Sequence, residues 1–229
     1  MCDADLAMPS AKRARIEIPS FGAVDLSKLS LRNSGVGPGG GLRVYPLLDG
    51  EAIRFNLTPD SWLTTPYGFD TSSKYEDKLP SFLGGTLPAS GAPEGLSMKL
   101  NLGETEASFL EALDAQCQQR FSVLTRAAWN PLVKDQGCKV TTTLTGPQEG
   151  LTKIAIVHGG KVLRGEGWDF LKPYVDSLRH AEVKAVVRLK KLWNVAGKAG
   201  IKLEATQLVL KATEKPTEAD AFGDDAALL

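Results

Sequence analysis

The chain has 229 residues, in which 27 lysines and arginines balance 27 aspartates and glutamates, so net charge alone singles out no partner. Hydrophobic residues at 42% of that length support a real core and one principal globular body. Cys2, Cys117 and Cys138, with His158 and His180, are too few and too scattered for a disulfide framework, a zinc site or a histidine-based triad. No run approaches a membrane span. The acidic start MCDADLAMPS lacks the charge and apolar segment of a signal peptide, so a soluble, unsecreted protein in a reducing compartment is expected.

Residues 1–24 read as a disordered arm. Within it Lys12, Arg13 and Arg15 follow Pro9 in a compact basic cluster, which reads as a nuclear-import signal or as a solvated arm. A short element is expected over 25–31 and a flexible loop over 33–41. The glycines of that loop precede neither a lysine-serine or lysine-threonine pair nor a helix, so it is not a nucleotide-binding loop. Residues 42–48 and 51–57 flank Asp49-Gly50, a strong two-residue hairpin signal. From 58 to 95 proline, glycine, serine and threonine dominate and form a flap. Its rings, Trp62, Tyr67, Phe69, Tyr75 and Phe82, are read first as staples to the core and second as groups that stack on bases. Residues 96–102 then alternate as a short strand.

A helix is expected over 104–129. Leu110, Leu113, Cys117, Phe121, Leu124 and Ala128 make one apolar stripe, Glu104 and Glu106 suit the first turn, and Trp129-Asn130-Pro131 ends it. Cys117 on that stripe is a small core residue rather than a nucleophile. Residues 138–144 and 151–157 are expected to pair as a second hairpin across 146–150, with Lys139 and Lys153 on its outer face. His158-Gly159-Gly160 makes a turn. Residues 165–178 hold Trp168, Phe170 and Tyr174 close together, in a segment that Pro173 keeps short.

Residues 180–212 read as a long hairpin. Val183, Ala185, Val187 and Leu189 alternate with Lys184, Val186, Arg188 and Lys190, giving one buried and one wet face. After the glycines of 196–200, Ile201, Leu203, Ala205, Gln207 and Val209 resume the alternation. The outer surface carries Lys184, Arg188, Lys190, Lys191, Lys198 and Lys202, with Trp193 among them. Cations neutralise phosphate and rings stack on bases, so such a surface suits a flexible polynucleotide. The same lysines on an edge strand also serve to block aggregation. Charge is unevenly placed: residues 138–215 hold fourteen basic and seven acidic side chains, whereas 216–229 hold only the acids Glu218, Asp220, Asp224 and Asp225.

The closing pattern Val-x-Ala-Val-Val-Arg-Leu-x-x-Leu-Trp, then Gly-Ile-x-Leu-x-Ala-x-x-Leu-Val-Leu, follows a long helix, Trp129 and lysine-bearing strands. Over residues 95–229 this succession resembles the replicative single-stranded DNA-binding proteins of podovirus-type phages and of nucleocytoplasmic large DNA viruses. The resemblance implies a mainly β chain with one long helix (α+β), an OB-like barrel with an inserted helix and disordered termini. The N-terminal half carries no motif of that family, and composition together with the resemblance divides the chain into the arm 1–24, a single-strand-binding domain over 25–215 with the flap 58–95, and an acidic tail over 216–229. The tail departs from the family pattern, because it ends in Leu228-Leu229 instead of phenylalanine and has few acids. Trp193 is the first candidate for stacking, with Trp168 and Tyr174 behind it. Phosphate contacts are expected from Lys184, Arg188, Lys190, Lys191, Lys198 and Lys202, helped by Lys139 and Lys153.

The expected function is sequence-tolerant binding of single-stranded DNA, or RNA, in replication, repair or recombination, at the nucleus or a viral replication site. Replication proteins recruited by the tail, and a second copy of the chain, are the expected protein partners. The alternative is a viral structural or assembly protein without nucleic-acid binding. An enzyme is not expected, nor a metal or cofactor. A carboxylate pair such as Asp169 and Asp176 has no nucleophile or metal set converging on it.

Overall fold

The structure, a computed structural model, describes residues 18–36, 42–70, 95–122, 126–195 and 197–212. Lys12, Arg13, Arg15, Tyr75, Phe82, Leu124 and the tail from 216 lie outside the described residues. Two 3-10 turns, Phe21–Ala23 and Leu26–Lys28, lead into an antiparallel pair, Leu29–Val36 (β1) and Leu42–Leu48 (β2). Strand β1 therefore takes in residues 33–36, which read as loop. Asp49 (φ 49°) and Gly50 (φ 83°) make the two-residue turn into Glu51–Ala52 (β3). Ile53 then points into the core and the chain changes partner at Arg54–Asn56 (β4). Leu63–Thr64 (β5), Phe69–Asp70 (β6) and Ser97–Asn101 (β7) follow.

The helix, Glu104–Ser122 (α1), keeps its predicted stripe: Leu110, Leu113, Cys117 and Phe121 are all fully buried. Phe109 reaches from it to Phe55, edge to face at 5.2 Å, and to Phe21 at 5.4 Å. The helix stops earlier than its periodicity suggests. Ala128–Asn130 (β8) is a strand, because Pro131 holds Asn130 extended and the Ala128 N–H donates to the Gly197 carbonyl. Val133–Lys134 (β9) and Gly137–Thr141 (β10) form a short hairpin of their own.

Lys153–His158 (β11) does not pair with β10 as expected. Its antiparallel partner is Lys161–Glu166 (β12), across Gly159 and Gly160, both at positive φ. Gly167–Leu171 (α2) and a 3-10 turn through Leu178 lead to the final hairpin, Glu182–Val195 (β13) and Lys198–Lys211 (β14). This hairpin organises the sheet. One edge of β14 pairs with β13 along its length, and its other edge takes three parallel strands in turn: β8 at 198–200, β10 at 203–204 and β11 at 207–211. Fourteen residues are enough to hold β10 and β11 end to end. The gap between them is bridged by the Thr152 N–H donating to the Thr143 carbonyl and the Thr143 N–H donating to Thr152 Oγ1, both at 2.9 Å.

The pairings β13–β5, β5–β7, β7–β10, β10–β14 and β14–β13 close a ring. The protein is thus mainly β with one long helix and a five-stranded closed barrel, consistent with an OB fold. Two register shifts bend the hairpin. Lys190 is the extra residue in β13, and Thr206 is the extra residue in β14. The second shift corrects the simple alternation: after Ala205 it is Leu208 and Leu210 that turn inward, leaving Gln207 and Val209 half-buried outside.

Candidate nucleic-acid interface

The pleat of β13 sends Val183, Ala185, Val187 and Leu189 into the barrel and the intervening residues outward. Cross-strand pairs then fix which residues share the outer face: Lys184 with Val209, Val186 with Gln207, Arg188 with Glu204, Lys191 with Lys202 and Trp193 with Gly200. Lys198 is in phase with Gly200 and Lys202. All six hairpin cations of the sequence reading therefore lie on one face with Trp193, which is half-buried and outside the core cluster. Gly200 is required beneath the indole, since a Cβ there would meet Trp193 Cζ2 at 2.9 Å and the Asn130 carbonyl oxygen at 2.8 Å. At the far end of the hairpin Lys211 bonds Glu182 at 2.6 Å.

A carboxylate sits at the middle of this face. Glu204 is 1% exposed and is held by the Arg188 guanidinium, the Lys190 ammonium and the Thr143 hydroxyl, the last at 2.5 Å. Burial pushes its carboxyl up, but the bonds from Lys190, Thr143 and Arg188 together outweigh burial and hold it below the usual range. Two expected phosphate ligands are thus already ion-paired, although two cations against one carboxylate leave a net positive charge there.

Lys139 and Lys153 are both exposed and flank the hairpin from β10 and β11. Lys139 donates to Asp70 at 3.3 Å. Lys153 pairs in register with Gln207 and lines a cleft of about 300 Å³ with Arg54, Glu149, Arg188, Glu204 and Thr206. Arg54 stands opposite Arg188 in the β4–β13 pairing, and its Nε donates to Thr206 Oγ1 at 3.2 Å. Burial, and then the charge of Arg188, hold the Arg54 guanidinium below its usual value.

Trp168 is a correction. It is 5% exposed and belongs to the core cluster, so its indole offers no face to a base. Tyr174 is half-buried against the core, with its ring 6.0 Å from Phe170. The flap rings divide: Phe69 is buried as a staple, whereas Trp62 and Tyr67 are exposed, contrary to the anchoring expectation. Trp62 lies beside β13 with the Lys184 ammonium 5.1 Å from its ring centroid. Arg54 and Trp62 belong to the basic face, and local patterning missed both. The aromatic-rich flap was the only signal for Trp62.

Cys117 and Cys138 are buried, and burial pushes both thiols up to about 12, so neither is a nucleophile at neutral pH. Among the described residues no cluster of three or more His, Cys, Asp or Glu is arranged to hold a metal ion, and no helix is long and apolar enough to cross a membrane.

No protein-family model and no curated protein matches the chain. Among solved structures it is similar to gp2.5, a single-stranded DNA-binding protein encoded by bacteriophage T7. Identity is 11%, 76% of this chain and 94% of that one are covered, and the TM-score is 0.36.

Proposed function

We propose that this chain is a non-enzymatic, sequence-tolerant single-stranded DNA-binding protein that acts in replication, repair or recombination. The observation that carries the reading is the outer face of β13–β14, where six cations and the Trp193 indole share one side of the hairpin. Cations at that density neutralise a phosphate chain, and a half-exposed indole accepts a base of any identity, which suits binding without sequence preference. Lys139 and Lys153 widen the basic surface on the flanking strands. In this reading the N-terminal arm, which was expected over 1–24 but packs on the core from about Phe21, carries a nuclear-import signal at Lys12, Arg13 and Arg15, and 216–229 are an acidic tail that competes for the same surface.

Fluorescence anisotropy with a labelled oligothymidylate tests the reading. Affinity should fall steeply as salt rises, with a slope of about 0.7 per phosphate contacted. No binding at low salt overturns it, and large oligomers formed without nucleic acid would favour an assembly protein instead.

A further inference from the structure

The cleft beside the hairpin holds more positive charge than its own carboxylates use. Arg54 and Arg188 are directly opposed across β4 and β13, an arrangement of like charges that costs stability unless an anion lies between or beside them. Arg188 is committed to Glu204. Arg54 makes one bond through Nε to Thr206, and among the described residues no carboxylate lies within ion-pair distance of Arg54 or of Lys153 across the cleft. Glu204 cannot serve either cation, since Arg188, Lys190 and Thr143 already surround it. The remaining acid of the lining is Glu149, on the 3-10 turn Gln148–Gly150.

We propose that this cleft is a phosphate seat, in which Arg54 and Lys153 together hold one backbone phosphate of a bound single strand and fix where the strand crosses the hairpin. The proposal rests on the single-strand-binding reading above and adds a definite position to it. The Arg54 guanidinium, from the flank of β13, and the Lys153 ammonium, from the flank of β14, make charge-assisted bonds to separate phosphate oxygens. Glu149 opposes the anion from the rim. From this seat the strand has Trp62 towards one end of β13 and Trp193 towards the other. Those rings are nine strand positions apart, since Trp62 lies over Lys184, and the span is roughly 30 Å at strand rise.

The test compares the wild type with Arg54→Ala, Arg54→Lys, Lys153→Ala and Glu149→Gln, using the labelled oligothymidylate over a salt series, with thermal melts as a check on folding. Arg54→Ala and Lys153→Ala should each weaken binding about tenfold and lower the salt slope by about 0.7. Arg54→Lys should restore the slope but not all of the affinity, and Glu149→Gln should tighten binding several-fold. Lys153 is exposed, so its variant keeps the test open if Arg54→Ala fails to fold. A wild type that binds while both alanine variants match it in slope and affinity overturns the seat and leaves the parent reading standing. A wild type that does not bind overturns both. Inorganic pyrophosphate that shifts the Arg54 side-chain resonance, with no change of oligonucleotide slope in the variants, would make the cleft a free-anion site and also overturn the seat.

Discussion

Glu204 shows how a single buried carboxylate sets the shape of a basic surface. It fixes Arg188 and Lys190 in place, so that two long side chains that would otherwise sample many rotamers are held over the hairpin. Replacing it with glutamine leaves both cations without their counter-charge, and the fold should lose about 3 kcal/mol at pH 7 in urea unfolding. Its carboxyl is depressed in the folded state, so this contribution is complete above the ordinary glutamate range and is lost as pH falls through the depressed value. The gap between wild type and Glu204→Gln should therefore narrow in acid. Trp193 works differently. Because it is half-buried outside the core, Trp193→Ala should cost about 1–3 kcal/mol of oligonucleotide binding, read by anisotropy, with a smaller change in stability. Lys184, Arg188, Lys190, Lys198 and Lys202 were legible in the sequence, since a two-residue period states which side each faces, whereas Lys191 and Trp193 come to that side only because Lys190 is an extra residue that reverses the alternation. Arg54 and Trp62 were not legible, because each joins the face through pairing with a strand more than a hundred residues away.

At the level of elements, legibility followed how local each contact is. The Asp49-Gly50 turn, the stripe on α1 as far as Phe121 and the pairing of the two arms of the final hairpin are decided by neighbours in sequence and stand as read, whereas the in-and-out order of that hairpin changes at its two extra residues. The presumed pairing of 138–144 with 151–157 failed because a run of alternating residues does not say whether its partner is the next run or a longer strand that comes later. Strand β14 is that later strand, and it takes both in parallel. The helix end failed for a related reason: the apolar spacing continues to Ala128, but β14 recruits residues 128–130 as a strand. The crossing of β8, β13 and β14 at Gly200 gives a prediction at this scale. Gly200→Ala must displace both the Asn130 carbonyl and the Trp193 ring, and should cost about 1–3 kcal/mol. A lowered melting temperature together with altered tryptophan emission is the expected result.

Across the whole molecule, the five-stranded ring uses the same two strands as its wall and as the carrier of the proposed interface. The inward side of β13 and β14 supplies Val183, Val187, Leu203 and Leu208 to the core while the outward side carries the charge. Outside the buried Glu204 cluster, an exposed outward substitution such as Lys191→Ala should change affinity and leave the melting temperature within about 2 °C. The alternation made this division visible in the sequence up to Leu189 and Ala205, and the extra residues Lys190 and Thr206 hid the rest. Closure of the ring was not visible, because it depends on β5, a two-residue strand with no pattern of its own.

The order in which the strands are made has a consequence for biogenesis. Strands β8, β10 and β11 all leave the ribosome before β14, the strand whose edge they share, so β8 has no partner and β10 and β11, although paired with β7 and β12, each keep one edge open until β14 arrives. A nascent chain has to keep these apolar segments apart until residue 211 is clear of the exit tunnel. Chains cut short within β14 should therefore remain protease-sensitive and prone to chaperone capture, whereas a chain ending just past Ala212 should resist proteolysis.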